Sequence, residues 1–323
     1  MNKPPPFKVI IIGGSIAGLT LAHCLARAQI SHIVLEKRAE KAPQEGASIG
    51  LWPTGAQILD QLGLWAAVSE STEPLKVHNV LYPGGRGFSH DVLARVYERF
   101  GYGLTFVERQ RLLSVLYKSY PDKENILLGK TVVQAQQDHH SASVTTSDGS
   151  VYKGTLVVGA DGVHSGVRSE MYRLIHASKQ IQTAEKNPLT AEYSCVFGIS
   201  SPIPGLQPGE HGNVFGDGVT VLTFHGKTAV YWFVCSKMDR KYIYPDIPRF
   251  SAKDAEELCA GKYAGMRLAD EVTVRDLWKS RKAGGMVAME EGLFEKWSCG
   301  RVVLMGDAVR KVVLFAYTAL PAV

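Results

Sequence analysis

The sequence predicts an α/β fold in which a parallel sheet is interrupted by a β-rich segment. An apolar, β-branched run, "FKVIII" at residues 7–12, is typical of a strand that is buried on both faces of a parallel sheet. Glycines and a helical segment of small residues follow this run, and "HIVLEK" at residues 32–37 predicts a second buried strand. A strand, a helix and a strand in this order make a βαβ unit at the start of the chain.

The rest of the chain leaves this pattern and then returns to it. An Asp148-Gly149 hairpin leads to "TLVVGAD" at residues 155–161, which predicts a third buried strand, and "GRVVLMGD" at residues 300–307 predicts a fourth. Between them, from about residue 186, the sequence is β-rich and aromatic with Gly/Pro loops. We therefore predict two domains, a discontinuous one over residues 1–75, 104–185 and 285–323 and an inserted one over residues 76–103 and 186–284.

Composition excludes several classes of function. The 323 residues carry a net charge of +5 without a basic stripe, so we expect no nucleic-acid partner. The five cysteines are scattered and lack C-x-x-C spacing, which predicts neither a metal site nor a disulfide framework and favours a reducing, intracellular setting. Glycines interrupt the apolar segment near the N-terminus, and "VVLFAYTALPAV" at residues 312–323 is shorter than the ~20 residues of a spanning helix.

The stretch "IIGGSIAG" lies where a dinucleotide-binding turn belongs, between a strand and a helix. Gly13 supplies the tight turn and Gly18 the close helix–strand packing, while Ser15 replaces the usual middle glycine beside Gly14. A pyrophosphate would lie at the helix N-terminus, where unpaired N–H groups point at it. Glu36 ends the second strand about 20 residues on, as a ribose-binding carboxylate does. The motif predicts a dinucleotide site without distinguishing FAD from NAD.

Two further strand ends carry acidic residues, in the pairs Asp161-Gly162 and Gly306-Asp307. Each pair alone indicates only a turn. With the glycine turn, and in this order, they make the sequence resemble the single-component FAD-dependent monooxygenases of the aromatic-hydroxylase type. Within that family it is most similar to fungal enzymes of meroterpenoid and indole-diterpene biosynthesis, over residues 7–311.

The resemblance implies a fold and a set of cofactor contacts. The fold would be a Rossmann-like FAD/NAD(P)-binding domain with a three-layer ββα arrangement, formed by the discontinuous domain, with an inserted β-rich substrate domain. Glu36 would bind the adenosine ribose, and Gly50 would lie against the flavin. Arg109 would contact FAD, Asp161 would lie near the pyrophosphate and the transient nicotinamide nucleotide, and Asp307 would bind the ribityl chain.

The resemblance also implies an activity. NAD(P)H would reduce FAD, and O2 would then give a flavin hydroperoxide that epoxidises the terminal olefin of a prenylated, hydrophobic substrate. A terpene cyclase of the pathway would act on the product. No catalytic side chain is predicted, because the alkene needs no protein base.

Phe215, Phe224, Trp232 and Phe233 are candidates for the substrate pocket, although each also fits a core position. A flavin-dependent reductase or halogenase is the competing enzyme class.

The alternative to an active enzyme is a truncated and catalytically impaired product of such a gene. Arg310 stands where the family usually has His, and the resemblance ends after Lys311. The tail at residues 312–323 contains no Gly or Asn for the flavin-facing turn that relatives have there. Membrane association is expected only through a segment that this sequence lacks.

Overall fold

The computed structural model describes residues 6–42, 46, 48–177 and 189–312. The chain forms two compact units, unit 1 (Met1–Pro43, Leu113–Leu189 and Glu291–Val312) and unit 2 (Gln44–Leu112 and Thr190–Glu290). Unit 2 thus takes residues 44–75 and 104–112, which the sequence assigned to the first domain. The division into a cofactor domain and a substrate domain concerns function and stays a prediction. The tail after Val312 lies outside the described residues.

The strands of the described residues are, in chain order, β1 (Lys8–Ile12), β2 (Ser31–Leu35), β3 (Ser48–Leu51), β4 (Val77–Leu81), β5 (Gly87–His90), β6 (Thr105–Glu108), β7 (Ile126–Leu127), β8 (Val132–Gln137), β9 (Ala142–Thr146), β10 (Val151–Gly154), β11 (Leu156–Gly159), β12 (Thr190–Ser200), β13 (Glu210–Gly216), β14 (Val219–His225), β15 (Val230–Ile243), β16 (Arg281–Ala288), β17 (Gly292–Leu293), β18 (Ser298–Cys299), β19 (Val302–Leu304) and β20 (Arg310–Lys311).

The helices are α1 (Ile16–Arg27), α2 (Pro53–Gln61), α3 (Trp65–Ser69), α4 (Val92–Phe100), α5 (Arg109–Lys118), α6 (Gly166–Ala177), α7 (Ala252–Glu256) and α8 (Val274–Lys279). A π-helical turn, Glu257–Lys262, continues α7, and a 3-10 turn, Gly306–Ala308, follows β19. No helix in residues 6–42, 48–177 or 189–312 is long and apolar enough to cross a membrane.

Unit 1 is built on a six-stranded sheet in the order β18-β19-β11-β1-β2-β7. β19, β11, β1, β2 and β7 are parallel, and β18 pairs antiparallel with β19. The predicted strands at residues 7–12, 32–37, 155–161 and 300–307 are confirmed as β1, β2, β11 and β19. In β1, Ile10 and Ile11 are 0% exposed, as expected for a strand covered on both faces.

The hairpin at Asp148-Gly149 is confirmed, with Gly149 at φ +82°. Its second arm does not run on into the third buried strand, as the sequence suggested. β10 pairs with β9 in a three-stranded antiparallel sheet with β8, while β11 belongs to the parallel sheet. The chain changes sheets at Gly154, where a Cβ would lie 2.9 Å from the carbonyl oxygen of Lys8.

Unit 2 is built on a seven-stranded sheet in the order β16-β12-β15-β14-β13-β4-β5, with β3 and β6 pairing separately. One face packs against α7 and α8 around the fully buried Trp232. The other face is rich in aromatic rings and packs against Phe106 of β6. Because side chains alternate along a strand, each strand supplies both faces.

The close approach of Trp232 to β12 generates a stability prediction. A Cβ on Gly198 would lie 2.2 Å from the Trp232 ring, so we expect Gly198→Ala to force a shift in a packed core. The free energy of unfolding should fall by ~1–3 kcal/mol, measured by urea denaturation. Gly265→Ala is the control, because a Cβ there meets nothing within 4 Å. Equal stabilities of the two variants would contradict the packing argument.

Candidate functional site

The glycine turn after β1 is constrained by two backbone contacts. Gly13 has φ +110°, and a Cβ there would lie 2.3 Å from the carbonyl oxygen of Ala160 at the end of β11. A Cβ on Gly18 would lie 1.9 Å from the carbonyl oxygen of Gly13. Both positions therefore require glycine. The turn fixes the start of α1 at Ile16, directly after Ser15 in extended conformation (φ −97°, ψ −165°).

Glu36 lies at the end of β2, against this turn. Its Oε2 accepts the backbone N–H of Gly14 at 2.6 Å, and its Oε1 accepts the N–H of Arg38 at 2.9 Å. The Arg38 guanidinium also lies 3.2 Å from Oε1. Glu36 is only 5% exposed, so its charge is held by these donors rather than by bulk water. The glycine turn and the carboxylate are thus in direct contact, and ribose binding by Glu36 stays a prediction.

The Asp161 carboxylate stabilises the segment that follows β11. It accepts the hydroxyl of Ser165 at 2.5 Å on Oδ1 and the N–H of Val167 at 3.1 Å on Oδ2. Val167 lies in the first turn of α6, whose N–H groups have no partner within the helix. Asp161 therefore orders the start of α6 in this structure. Its predicted proximity to a pyrophosphate stays a prediction.

Asp307 lies in the turn after β19 and is half-exposed. Its Oδ2 accepts the Lys311 ammonium at 2.6 Å, and Lys311 is fixed by the pairing of β20 with β17. Gly306, at φ +62°, brings this turn next to α1, because a Cβ there would lie 3.1 Å from the Cβ of Ala17. The ends of β1, β11 and β19 thus meet at one edge of the sheet of unit 1.

Arg168 connects two of these strand ends, a role that the sequence analysis did not assign. The side chain is buried, and its guanidinium donates to the carbonyl oxygens of Val163 at 2.8 Å and Ala308 at 3.0 Å. It also lies 3.6 Å from the ring centroid of Phe294. The signal in the sequence was an arginine seven residues after Asp161, in a turn segment that also carries His164 and Ser165, but only the fold brings it to Ala308.

Gly50 and Arg109 belong to unit 2. Gly50 of β3 pairs with Phe106 of β6, and a Cβ there would lie 3.0 Å from the Phe106 ring. This contact gives Gly50 a packing role. Arg109 opens α5, with its side-chain Cδ 3.3 Å from the position of a Cβ on Gly46. The predicted contacts of both residues with a cofactor stay predictions.

The aromatic face of unit 2 is a continuous stack of rings across neighbouring strands. The Phe106 and Phe224 centroids are 3.7 Å apart, those of Phe224 and His211 are 4.2 Å apart, and those of His211 and His78 are 4.3 Å apart. Nδ1 of His211 donates to the carbonyl oxygen of Thr223 at 2.9 Å, as a neutral imidazole can. Burial lowers the pKa of His211 to about 3.

Three of the four predicted pocket residues lie on this face or continue it, and one does not. Phe224 and Phe233 belong to it, and Phe215 continues it toward the half-exposed Tyr82, whose ring centroid is 5.3 Å away. Trp232 points to the other face, where it is 0% exposed and its indole N–H donates to the hydroxyl of Ser200. It therefore cannot line a pocket on the aromatic face, because neighbours in a strand point to opposite sides.

A cavity of about 320 Å³ lies on the other side of the same sheet. Its strand residues, among them Ser194, Ser236 and Met286, come from the positions that face α7 and the π-helical turn. It is separate from the aromatic face. Within the ranges that the structure describes, no group of three or more His, Cys, Asp or Glu side chains is arranged to hold a metal ion.

Comparison with known proteins identifies this arrangement. A family described as FAD binding domain matches residues 6–314. FAD-dependent monooxygenase nvfK of Aspergillus novofumigatus is 53% identical over 309 residues, which are 95% of this chain and 66% of nvfK. The chain belongs to this family of FAD-dependent monooxygenases. The predicted family is thereby confirmed.

A further relative and two solved structures are also similar to the chain. ptmM of Penicillium ochrochloron is 50% identical over 315 residues, 97% of this chain and 74% of ptmM. HpxO of Klebsiella pneumoniae, solved with FAD and uric acid, has a TM-score of 0.76 at 24% identity, over 94% of this chain and 74% of HpxO. A salicylate hydroxylase complex has a TM-score of 0.72 at 19% identity, over 95% of this chain and 74% of the hydroxylase. These structures confirm the predicted fold. The chain spans about two thirds of the length of most of its curated relatives.

The residues of unit 1 fit the cofactor of this FAD-binding family. Because Gly13 and Gly18 have no Cβ, the turn packs closely against the neighbouring backbone. Phosphate oxygens can therefore reach the first N–H groups of α1. Glu36 presents a buried carboxylate for ribose hydroxyls, and Asp307 presents a half-exposed one. A sugar hydroxyl at Glu36 would share that carboxylate with Gly14 and Arg38.

This shared carboxylate generates a binding prediction. We expect Glu36→Gln to raise the Kd for FAD ~10-fold, because a hydrogen bond to a charged acceptor contributes ~1.5–3 kcal/mol and the amide is a weaker acceptor. Titration of the apo-protein with FAD, followed by quenching of flavin fluorescence, measures it. Glu124→Gln, at an exposed position of the same unit, is the control and should bind as the unmodified chain does. An unchanged Kd in Glu36→Gln would contradict the assignment.

The buried His211 generates a pH prediction. Its folded pKa of about 3 lies below the ~6.5 of an unfolded chain, so the unfolded state binds the proton first. The contribution of His211 to the free energy of unfolding is fully present above pH ~6.5. It is lost as pH falls toward 3, at up to ~1.4 kcal/mol per pH unit. We expect His211→Phe to flatten the fall in unfolding free energy between about pH 6 and pH 4. The exposed His139→Phe should keep the original slope, and equal slopes in both variants would contradict the prediction.

Proposed function

We propose that the chain supports an NAD(P)H- and O2-dependent monooxygenase reaction that epoxidises the terminal olefin of a prenyl chain. The substrate would be a meroterpenoid or a related intermediate of fungal secondary metabolism, and a terpene cyclase would act on the epoxide. The observation that carries the proposal is the glycine turn at Gly13 and Gly14, packed against the Glu36 carboxylate, in a chain 53% identical to a fungal FAD-dependent monooxygenase. The aromatic face of unit 2 supports an apolar substrate.

The residues of unit 1 would bind and orient the cofactor. Gly13 and Gly18 let the turn pack closely, so that the first N–H groups of α1, which have no partner within the helix, would favour a pyrophosphate. The carboxylates of Glu36 and Asp307 would accept hydrogen bonds from the ribose and the ribityl chain. FAD, when bound, supplies the redox chemistry that activates O2.

The residues of unit 2 would select and hold the substrate. The partly buried ring of Phe233, backed by the buried rings of Phe106 and Phe224, would give an apolar wall that suits a hydrocarbon chain and excludes water from it. Burial, together with the neighbouring His90, also lowers the pKa of His78, so this histidine stays neutral near pH 7, as does His211. An alkene has no proton to lose before it accepts an oxygen atom, so these imidazoles would line the face as aromatic rings rather than act as bases.

A second candidate is a chain that folds but holds FAD weakly. The observation that favours it is the Lys311 ammonium, 2.6 Å from the Asp307 carboxylate. A ribityl hydroxyl at Asp307 would have to share this carboxylate with a cation. An FAD titration separates the two candidates, because only the first predicts stoichiometric flavin at micromolar protein.

The activity test uses the full chain with FAD, NADPH, O2 and an aromatic polyketide that carries a farnesyl group. We expect NADPH consumption and a product that is heavier by one oxygen atom, located at the terminal olefin by fragmentation in mass spectrometry. The same substrate with a saturated terminal unit is the matched control and should give no oxygenated product. Tyr82→Ala should raise KM without changing the Kd for FAD, whereas Val133→Ala, exposed on unit 1, should change neither.

The outcomes separate cofactor binding from substrate choice. Bound flavin and NADPH oxidation without an oxygenated product would overturn the epoxidase assignment and leave the cofactor site intact. Equal oxygenation of the saturated control would place the reaction elsewhere on the substrate. A chain that binds no flavin after reconstitution would overturn the monooxygenase proposal for this chain.

A further inference from the structure

Two buried cysteines face each other across the central strands of unit 2. Cys195 of β12 is directly opposite Cys235 of β15, and their sulfur atoms are 3.6 Å apart. Both side chains are buried, at 4% and 5% exposure. Of the other three cysteines, Cys24 is exposed, Cys299 is partly exposed and Cys259 is buried.

The hydrogen-bond pattern shows which kind of cross-strand pair this is. The N–H of Met289 donates to the carbonyl oxygen of Tyr193, so odd-numbered residues in this part of β12 direct their backbone groups toward β16. The N–H of Lys237 donates to Gly218, so odd-numbered residues of β15 direct theirs toward β14. Cys195 and Cys235 are therefore a non-hydrogen-bonded pair, whose Cα atoms are ~4.5 Å apart. Disulfides span Cα distances of about 4.4–6.8 Å.

From this juxtaposition we infer that Cys195 and Cys235 are a redox modification site, in which a peroxide such as hydrogen peroxide joins β12 to β15 through a disulfide. A sulfur of one residue attacks a peroxide oxygen, the O–O bond breaks, and a sulfenic acid and water form. The second sulfur then attacks the sulfenic sulfur, the S–O bond breaks, and a second water leaves. Two thiols lose two electrons and two protons in total, and one peroxide becomes two waters.

The environment of the pair sets the order and the rate of these steps. The hydrogen-bonded Cys235 thiol and burial raise the pKa of Cys195, which keeps this thiol protonated and slow to react. The second step needs no movement of the chain to bring the sulfur atoms together, because the partner sulfur is already in van der Waals contact. A sulfenic acid formed at either residue is thus captured by its neighbour before it can be oxidised further.

The position of the bond gives it a consequence for the sheet. Cys195 and Cys235 lie on the aromatic face, two residues from Phe197 and Phe233, which are also opposite each other. A disulfide would fix the spacing of the two strands that carry these rings. The inference does not depend on the proposed function, because the oxidant is supplied from solution.

The test is peptide mapping of the native full chain after treatment with hydrogen peroxide. We expect denatured, alkylated protein to show a fall from five free thiols to three, with Cys195 and Cys235 peptides linked, lighter by about 2 Da than the two thiols, and released by dithiothreitol. Circular dichroism before and after treatment confirms that the chain was folded during oxidation.

Variants separate this site from general thiol oxidation. Cys195→Ser and Cys195→Ala should each abolish the link, while Cys24→Ser should leave it in place. Oxidation of Cys24 and Cys299 to sulfenic or higher acids with Cys195 and Cys235 still unlinked would overturn the inference. So would a link that forms only when urea is added before the peroxide. The mapping of the unmodified chain decides the matter even if a variant fails to fold.

Discussion

The architecture of unit 1 depends on the close approach of the glycine turn to two neighbouring backbones. Gly13 packs against the carbonyl oxygen of Ala160, and Gly18 packs against the carbonyl oxygen of Gly13, at distances that leave no space for a Cβ. These contacts fix where α1 begins relative to β1 and β11. They also bring the N–H of Gly14 to the Glu36 carboxylate. A methyl group at either glycine would separate the strand end from the helix, and the edge where we propose that the dinucleotide binds would open.

The acidic residues at the strand ends share one property, which is that each already has donors within the protein. Glu36 accepts hydrogen bonds from the N–H groups of Gly14 and Arg38. Asp161 accepts one from an N–H group in the first turn of α6, and Asp307 accepts one from the Lys311 ammonium. A charge near a sheet edge costs free energy unless it is hydrogen-bonded, so such partners are expected before any ligand binds. Cofactor binding at Glu36 and Asp307, as proposed, would therefore add to, or compete with, hydrogen bonds that the fold has formed.

Unit 2 shows how one sheet carries two different surfaces. Alternate residues of β15 send Trp232 into the core beneath α7 and α8, and Tyr231 and Phe233 to the aromatic face. The helix-covered face supplies stability through complete burial. The aromatic face supplies stacked rings and neutral imidazoles in an environment of low polarity. The same period of two residues places Cys195 and Cys235 together, since both side chains point to the aromatic face.

The sequence alone determined the parallel strands, the glycine turn with Glu36 and the β-rich insertion. Local signals suffice for these features, because a buried strand needs an apolar run and a tight turn needs glycine. Tertiary structure decided the rest. The sequence could not show that Trp232 turns away from Phe233's face, because that depends on which side of the sheet the helices cover. Nor could it bring Arg168 to Ala308 or Cys195 to Cys235, which are far apart in the chain and meet only through strand order and register. Contacts between distant residues follow from how the strands pair, and that pairing is a property of the whole fold.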